Sequence, residues 1–154
     1  MVILLVASRV IFGGALIALF FIDLRQRRLP NIITIPGTVI GFLFSLVTLP
    51  GWRSSLLGIV IGGGLPFVIA EAYYHIRKQD GVGMGDVKML AMIGAFLGWR
   101  ELLFTLLLGS LLGTCVGLLQ MLRGRADLRT ALPFGTMLAV AAAVVEMLAA
   151  IARR

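Results

Sequence analysis

Residues 2–23 read VILLVASRVIFGGALIALFFID. One charge, Arg9, interrupts the run, and a carboxylate, Asp23, closes it. A helix needs roughly 20 apolar residues to cross about 30 Å of hydrocarbon, and this stretch supplies them. The pattern recurs over about residues 31–49, 55–76, 87–99, 101–122 and 132–151. The sequence therefore predicts an all-α, polytopic membrane bundle of about six transmembrane helices. The loops between the runs are too short for a second domain, so 1–154 reads as a single transmembrane domain. The run 87–99 is unusual. From Asp86 to Trp99 a helix rises only about 21 Å. Such a helix either thins the bilayer or starts below its surface. The first run has no basic leading end and no small-residue cleavage site, so it is not read as a signal peptide.

Composition agrees. Of 154 residues, 60% are hydrophobic and 14% charged, with a mean hydropathy of +1.05. That exceeds an ordinary soluble domain. The net charge of +7 does not point to nucleic acid, because no basic face is interleaved with stacking aromatics. The basic residues instead gather between runs: Arg25, Arg27 and Arg28; Arg77 and Lys78; Arg123, Arg125 and Arg129. The opposite loops hold only Arg53 and Arg100. The positive-inside bias puts the three clusters in the cytoplasm and the amino terminus outside. Arg9, Arg153 and Arg154 fit this topology poorly, although long side chains near span ends reach the interface. The lone Cys115 allows neither an intrachain disulfide nor a zinc cluster. Glycines four apart (Gly58 and Gly62; Gly94 and Gly98; Gly109, Gly113 and Gly117) predict close helix contacts.

In this topology Asp23 and Asp86 share the cytoplasmic side. Carboxylates at a bilayer boundary are costly and usually face a protein interior or polar cavity. A pair at equal depth on two helices can move protons or split a bond with water. Each also has a plainer reading. Asp23 can pair with Arg27 one turn on, although a carboxylate near the end of a helix that stops before Pro30 opposes the macrodipole. Asp86 can be an N-cap. The glycines ahead of it, Gly81, Gly83 and Gly85, either make a flexible loop or clear room for an extended peptide. Asn31 is expected to cap the second helix. Lys88 either supports Asp86 or reaches the interface. Glu71 and His75 pair on one helix face, or Glu71 is a competing carboxylate. Glu146 lies toward the outer side, away from any chemistry at Asp23.

At these residues the chain resembles the type IV prepilin peptidase family, membrane aspartic proteases with a Gly-x-Gly-Asp motif. Asp23 followed by Pro30-Asn31 resembles the first catalytic motif. Gly83-Met84-Gly85-Asp86-Val87-Lys88, continuing to Gly94-Ala95-Phe96-Leu97-Gly98-Trp99, resembles the second. Leu132-Pro133-Phe134-Gly135 resembles the segment opening the last helix. Two departures stand out: Asp80 replaces a frequent glutamate, and Thr136 a frequent proline. Larger members carry an amino-terminal extension with a cysteine-rich zinc loop, associated with N-methylation. Nothing here resembles it, so a short form or a fragment is expected and methyltransferase activity is doubtful.

The resemblance implies an aspartic endopeptidase of the bacterial inner membrane. It would remove a basic leader from pilin or pseudopilin precursors, cutting after a glycine at the cytoplasmic face. The implied catalytic residues are Asp23 and Asp86. Gly83 and Gly85 would border the substrate, and Asp80, Lys88 and Asn31 would support the site. No metal or cofactor is implied. Two rival readings remain: a proton- or cation-coupled transporter using the same carboxylates, and an assembly factor that only binds pilin helices. The protease reading requires both aspartates to face one water-filled cavity, within roughly 10 Å of each other.

Overall fold

The computed structural model describes residues 2–77, 83–123 and 134–152. The described residues are helical almost throughout, and none is in a strand. In chain order the elements are α1 (Val2–Gln26), α2 (Asn31–Ser45), α3 (Trp52–Ile59), a π-helical turn (Val60–Gly64), α4 (Leu65–Arg77), α5 (Met84–Leu97), α6 (Trp99–Leu122) and α7 (Phe134–Ala152). Since α3, the π turn and α4 run on without a break, six helical rods correspond to the six apolar runs.

Four rods are long and apolar enough to cross a bilayer: Ile3–Gln26, Trp52–Ile76, Trp99–Leu122 and Phe134–Ala152. Their outer faces carry Phe104, Leu107, Ile76 and Leu122, all more than half exposed within the bundle. Water would make so broad an apolar surface unfavourable, whereas hydrocarbon satisfies it. The chain is a multi-pass membrane protein.

The short α5 occupies the centre. Nine of its 14 residues are buried, including Met89, Met92 and Ile93 at 0% exposure. It packs against α2, α3, the π turn, α4, α6 and α7. Glycine makes this possible. The backbones of Gly58 and Gly94 touch directly, so a Cβ on either would collide with the other's carbonyl. At Gly62 a Cβ would lie 2.6 Å from the Leu90 carbonyl oxygen. Ser55, wholly buried, donates from Oγ to the Ala95 carbonyl at 2.7 Å and tightens the same seam. Across the bundle Phe12 of α1 stacks on Phe96 of α5, ring centroids 4.8 Å apart.

Gly98 departs from its expected role. Instead of continuing a packing stripe with Gly94, it adopts φ +89° and separates α5 from α6. Only glycine takes that conformation without strain. The helix boundary therefore falls one residue before Trp99-Arg100-Glu101, where the apolar pattern had put it. The expected contacts of Gly109 do hold: a Cβ there would meet Leu138 Cδ1 of α7 at 3.1 Å.

Candidate active site

Asp23 lies in the last turn of α1, which is followed by Arg27 with a left-handed φ of +50°. Arg27 is not its partner. The backbone N–H of Arg27 donates to the Asp23 carbonyl at 2.8 Å, and no cation bonds the carboxylate among the described residues. The carboxylate reaches α7 instead. Its Oδ2 accepts the backbone N–H of Thr136 at 2.6 Å and the Thr136 hydroxyl at 2.9 Å. Asp23 is 5% exposed and Thr136 3%. Thr136 is the third residue of α7, and the first N–H groups of a helix have no acceptor within it. Asp23 supplies one. The charge sits at the unfavourable end of its own helix and the favourable end of another. Gly135 leaves the gap for this approach: a Cβ there would stand 3.0 Å from Asp23 Oδ2 and from Leu29 Cδ1.

Asp86 lies in the first turn of α5. It is not the N-cap. Gly83 holds that place in extended conformation, and no side chain caps the helix. Glycine at 83 leaves room for the carboxylate, since a Cβ would meet Asp86 Oδ2 at 3.2 Å. Gly85 is inside the helix, and the space above it belongs to Leu29, with Cβ 3.0 Å from where its own would be. Its missing side chain thus seats the α1–α2 connection, where the sequence suggested room for a peptide strand.

The two aspartates sense each other. Asp86 is outside the four long spans, and its carboxyl is pushed up from 3.8 to about 6, first by burial and then by the negative charge of Asp23. Burial and a like charge both disfavour ionisation. The site therefore combines a buried carboxylate gripped by two donors with a half-buried carboxyl inclined to keep its proton.

Asn31 and Lys88 border this end of α5, bonded to one another: Lys88 Nζ donates to Asn31 Oδ1 at 2.8 Å. Asn31 does not cap α2; the N-cap is Pro30, and Asn31 spends its side chain on the lysine. Glu71 and His75 pair on the exposed face of α4 at 3.5 Å. Glu146 of α7 binds Arg9 of α1 at 3.2 Å, a partnership across 137 positions that local pattern does not reveal. Asp80, Gly81, Lys78, Arg125, Arg129, Leu132, Pro133, Arg153 and Arg154 lie outside the described residues. A cavity of about 750 Å³ between α1 and α7 is lined by Phe20, Arg9, Glu146 and apolar side chains, and not by either aspartate. Asp23 itself is buried among the described residues.

A family model described as the type IV leader peptidase family matches residues 10–118, a stretch that holds both aspartates. The chain belongs to the type IV leader peptidase family. Among relatives named prepilin leader peptidase/N-methyltransferase, that of Pseudomonas putida is 39% identical over 132 residues, covering 82% of this chain and 44% of the relative. That of Burkholderia pseudomallei (strain K96243) is 34% identical over 140 residues, covering 89% and 45%. That of Myxococcus xanthus (strain DK1622) is 38% identical over 118 residues, covering 75% and 35%. This leader-peptidase family member thus spans less than half the length of those relatives. No solved structure gives a significant match.

Proposed function

We propose that this protein is a membrane-embedded aspartic endopeptidase. It removes the basic leader from type IV prepilin-like precursors, cutting after a glycine at the cytoplasmic face of the bacterial inner membrane. Residues 1–154 act as one peptidase domain with the bilayer as solvent. The observation that carries the reading is the family match over residues 10–118, a stretch that holds Asp23 at the end of one helix and Asp86 at the start of another.

Asp86 holds the shared proton, and Asp23 is the base. Asp23 takes a proton from water, and the resulting hydroxide adds to the scissile carbonyl carbon. Asp86 donates its proton to the carbonyl oxygen as the C=O bond becomes a C–O single bond. The tetrahedral intermediate collapses as one of its hydroxyls returns a proton to Asp86, the C=O bond re-forms, the C–N bond breaks, and the leaving amine receives the proton carried by Asp23. Gly83 and Gly85 border the site by letting Asp86 and Leu29 into place. The Lys88–Asn31 bond fixes the start of α5 to that of α2.

The test is a gel-shift assay with purified protein in detergent and a precursor whose basic leader ends in glycine ahead of an apolar helix. A product beginning one residue after that glycine is expected. Intact substrate, with ion flux in liposomes that requires both aspartates, would replace the peptidase reading by transport.

A further inference from the structure

We infer that Thr136 is a positioning residue: it orients the Asp23 carboxylate for water activation. The inference rests on the peptidase reading. An unrestrained carboxylate turns about its terminal bond and presents either oxygen, a freedom that is broad for such sp³–sp² torsions. Here two donors from one residue converge on Oδ2, at 2.6 and 2.9 Å, with both residues nearly fully buried. Oδ1 makes no hydrogen bond among the described residues and is the oxygen left to meet water. A base held in one orientation gains rate because less ordering remains to be done in the transition state.

Nothing on α1 can do this work. Asp23 is near the carboxyl end of its helix, and Arg27 contacts only its carbonyl. Thr136, by contrast, offers an N–H that the first turn of α7 leaves without an internal acceptor, and adds a hydroxyl beside it. The proline frequent at the matching place in the family that the sequence resembles has neither donor. The clamp is also beyond residues 10–118, the part that the family model matches.

Three variants test the role by steady-state cleavage and thermal unfolding in detergent. Thr136→Val keeps shape and N–H and loses the hydroxyl. It should lower kcat roughly tenfold, the equivalent of one charge-assisted hydrogen bond, with KM and unfolding midpoint nearly unchanged. Thr136→Ser restores the donor and should return kcat to within about twofold of wild type. Asp23→Asn should be inactive. Wild-type kcat in a folded Thr136→Val, or a loss that Thr136→Ser does not rescue, overturns the positioning role. A Thr136→Val that raises KM and lowers the unfolding midpoint without a kcat loss overturns it too, in favour of simple packing. Full cleavage by Asp23→Asn, or none by wild type, strikes the peptidase reading itself.

Discussion

Helices α1 and α7 share two polar contacts along one seam, built on opposite principles. At one, Arg9 meets Glu146 and charge is matched by charge at 3.2 Å. At the other, some 21 Å along α1 at 1.5 Å per residue, Asp23 meets Thr136 and the carboxylate receives only neutral donors. In the ion pair each charge is engaged by the other and neither is free for chemistry, even though pairing need not offset the cost of burying both. A carboxylate held by neutral donors, with a second carboxyl close by, keeps a charge available for chemistry. The same two helices thus carry an anchor and a reactive site.

The largest effect expected from this contrast is on cleavage. Asp23→Asn and Asp86→Asn should each reduce turnover by about a hundredfold or more, the usual contribution of a catalytic acid or base. Asparagine at 23 still accepts the Thr136 bonds, and the Asp86 side chain caps no helix, so both proteins should remain folded. Activity within tenfold of wild type would remove that residue from the dyad. The anchor should behave in reverse. Arg9→Met leaves Glu146 unpaired and should cost roughly 2 kcal/mol, less than a fully buried pair because both side chains keep some exposure. Adding Glu146→Leu should recover most of that, with cleavage unchanged in either. A catalytic defect in the double variant would erase the distinction between the two contacts.

Acidity sharpens the comparison further. Because Asp86 titrates at about 6, it is protonated below that pH and loses its proton above it. The kcat/KM of the free enzyme should therefore fall up to tenfold per unit as pH rises past about 6. Asp23→Asn removes the neighbouring negative charge and should lower the Asp86 midpoint, which carboxyl carbon NMR can follow; burial, the larger cause, stays. An unchanged midpoint would mean that the two carboxyls do not sense each other. The smallest effect should come from Lys88→Met, which breaks one exposed bond to Asn31. Stability should change by less than about 1 kcal/mol and cleavage by less than about threefold. A hundredfold loss would instead make Lys88 a direct partner of Asp86.

The fold was legible because its signal is long. Runs of twenty apolar residues admit few alternatives, and the six rods fall on the six runs. Family membership was legible from Asp23 and Gly83–Lys88, whose order along the chain carries the information. Details settled by tertiary contact were not. Asp86 has the composition of an N-cap, yet Gly83 takes that place, because the cap is decided by backbone geometry. Gly85 was expected to admit a substrate strand, and the void is filled by Leu29, which no local rule connects to it. Thr136 registered only as a missing proline; its value as a double donor depends on α1 arriving beside the start of α7. The Arg9–Glu146 pair likewise joins positions with no periodic relation.

The π turn at Val60–Gly64 has a consequence for counting. Each such turn accommodates about one residue more than an α-helical turn, and one residue is about 100° of rotation. A helical wheel drawn through Trp52–Ile76 with a single period is therefore out of phase between its halves. Gly58 just before the slip and Gly62 within it both lie against α5, while beyond it Glu71 and His75 are on the exposed side. Removing one residue between 60 and 64 should restore a continuous α-helix and turn all of α4 by that angle, moving its inner face about a quarter-turn round without altering any of its side chains.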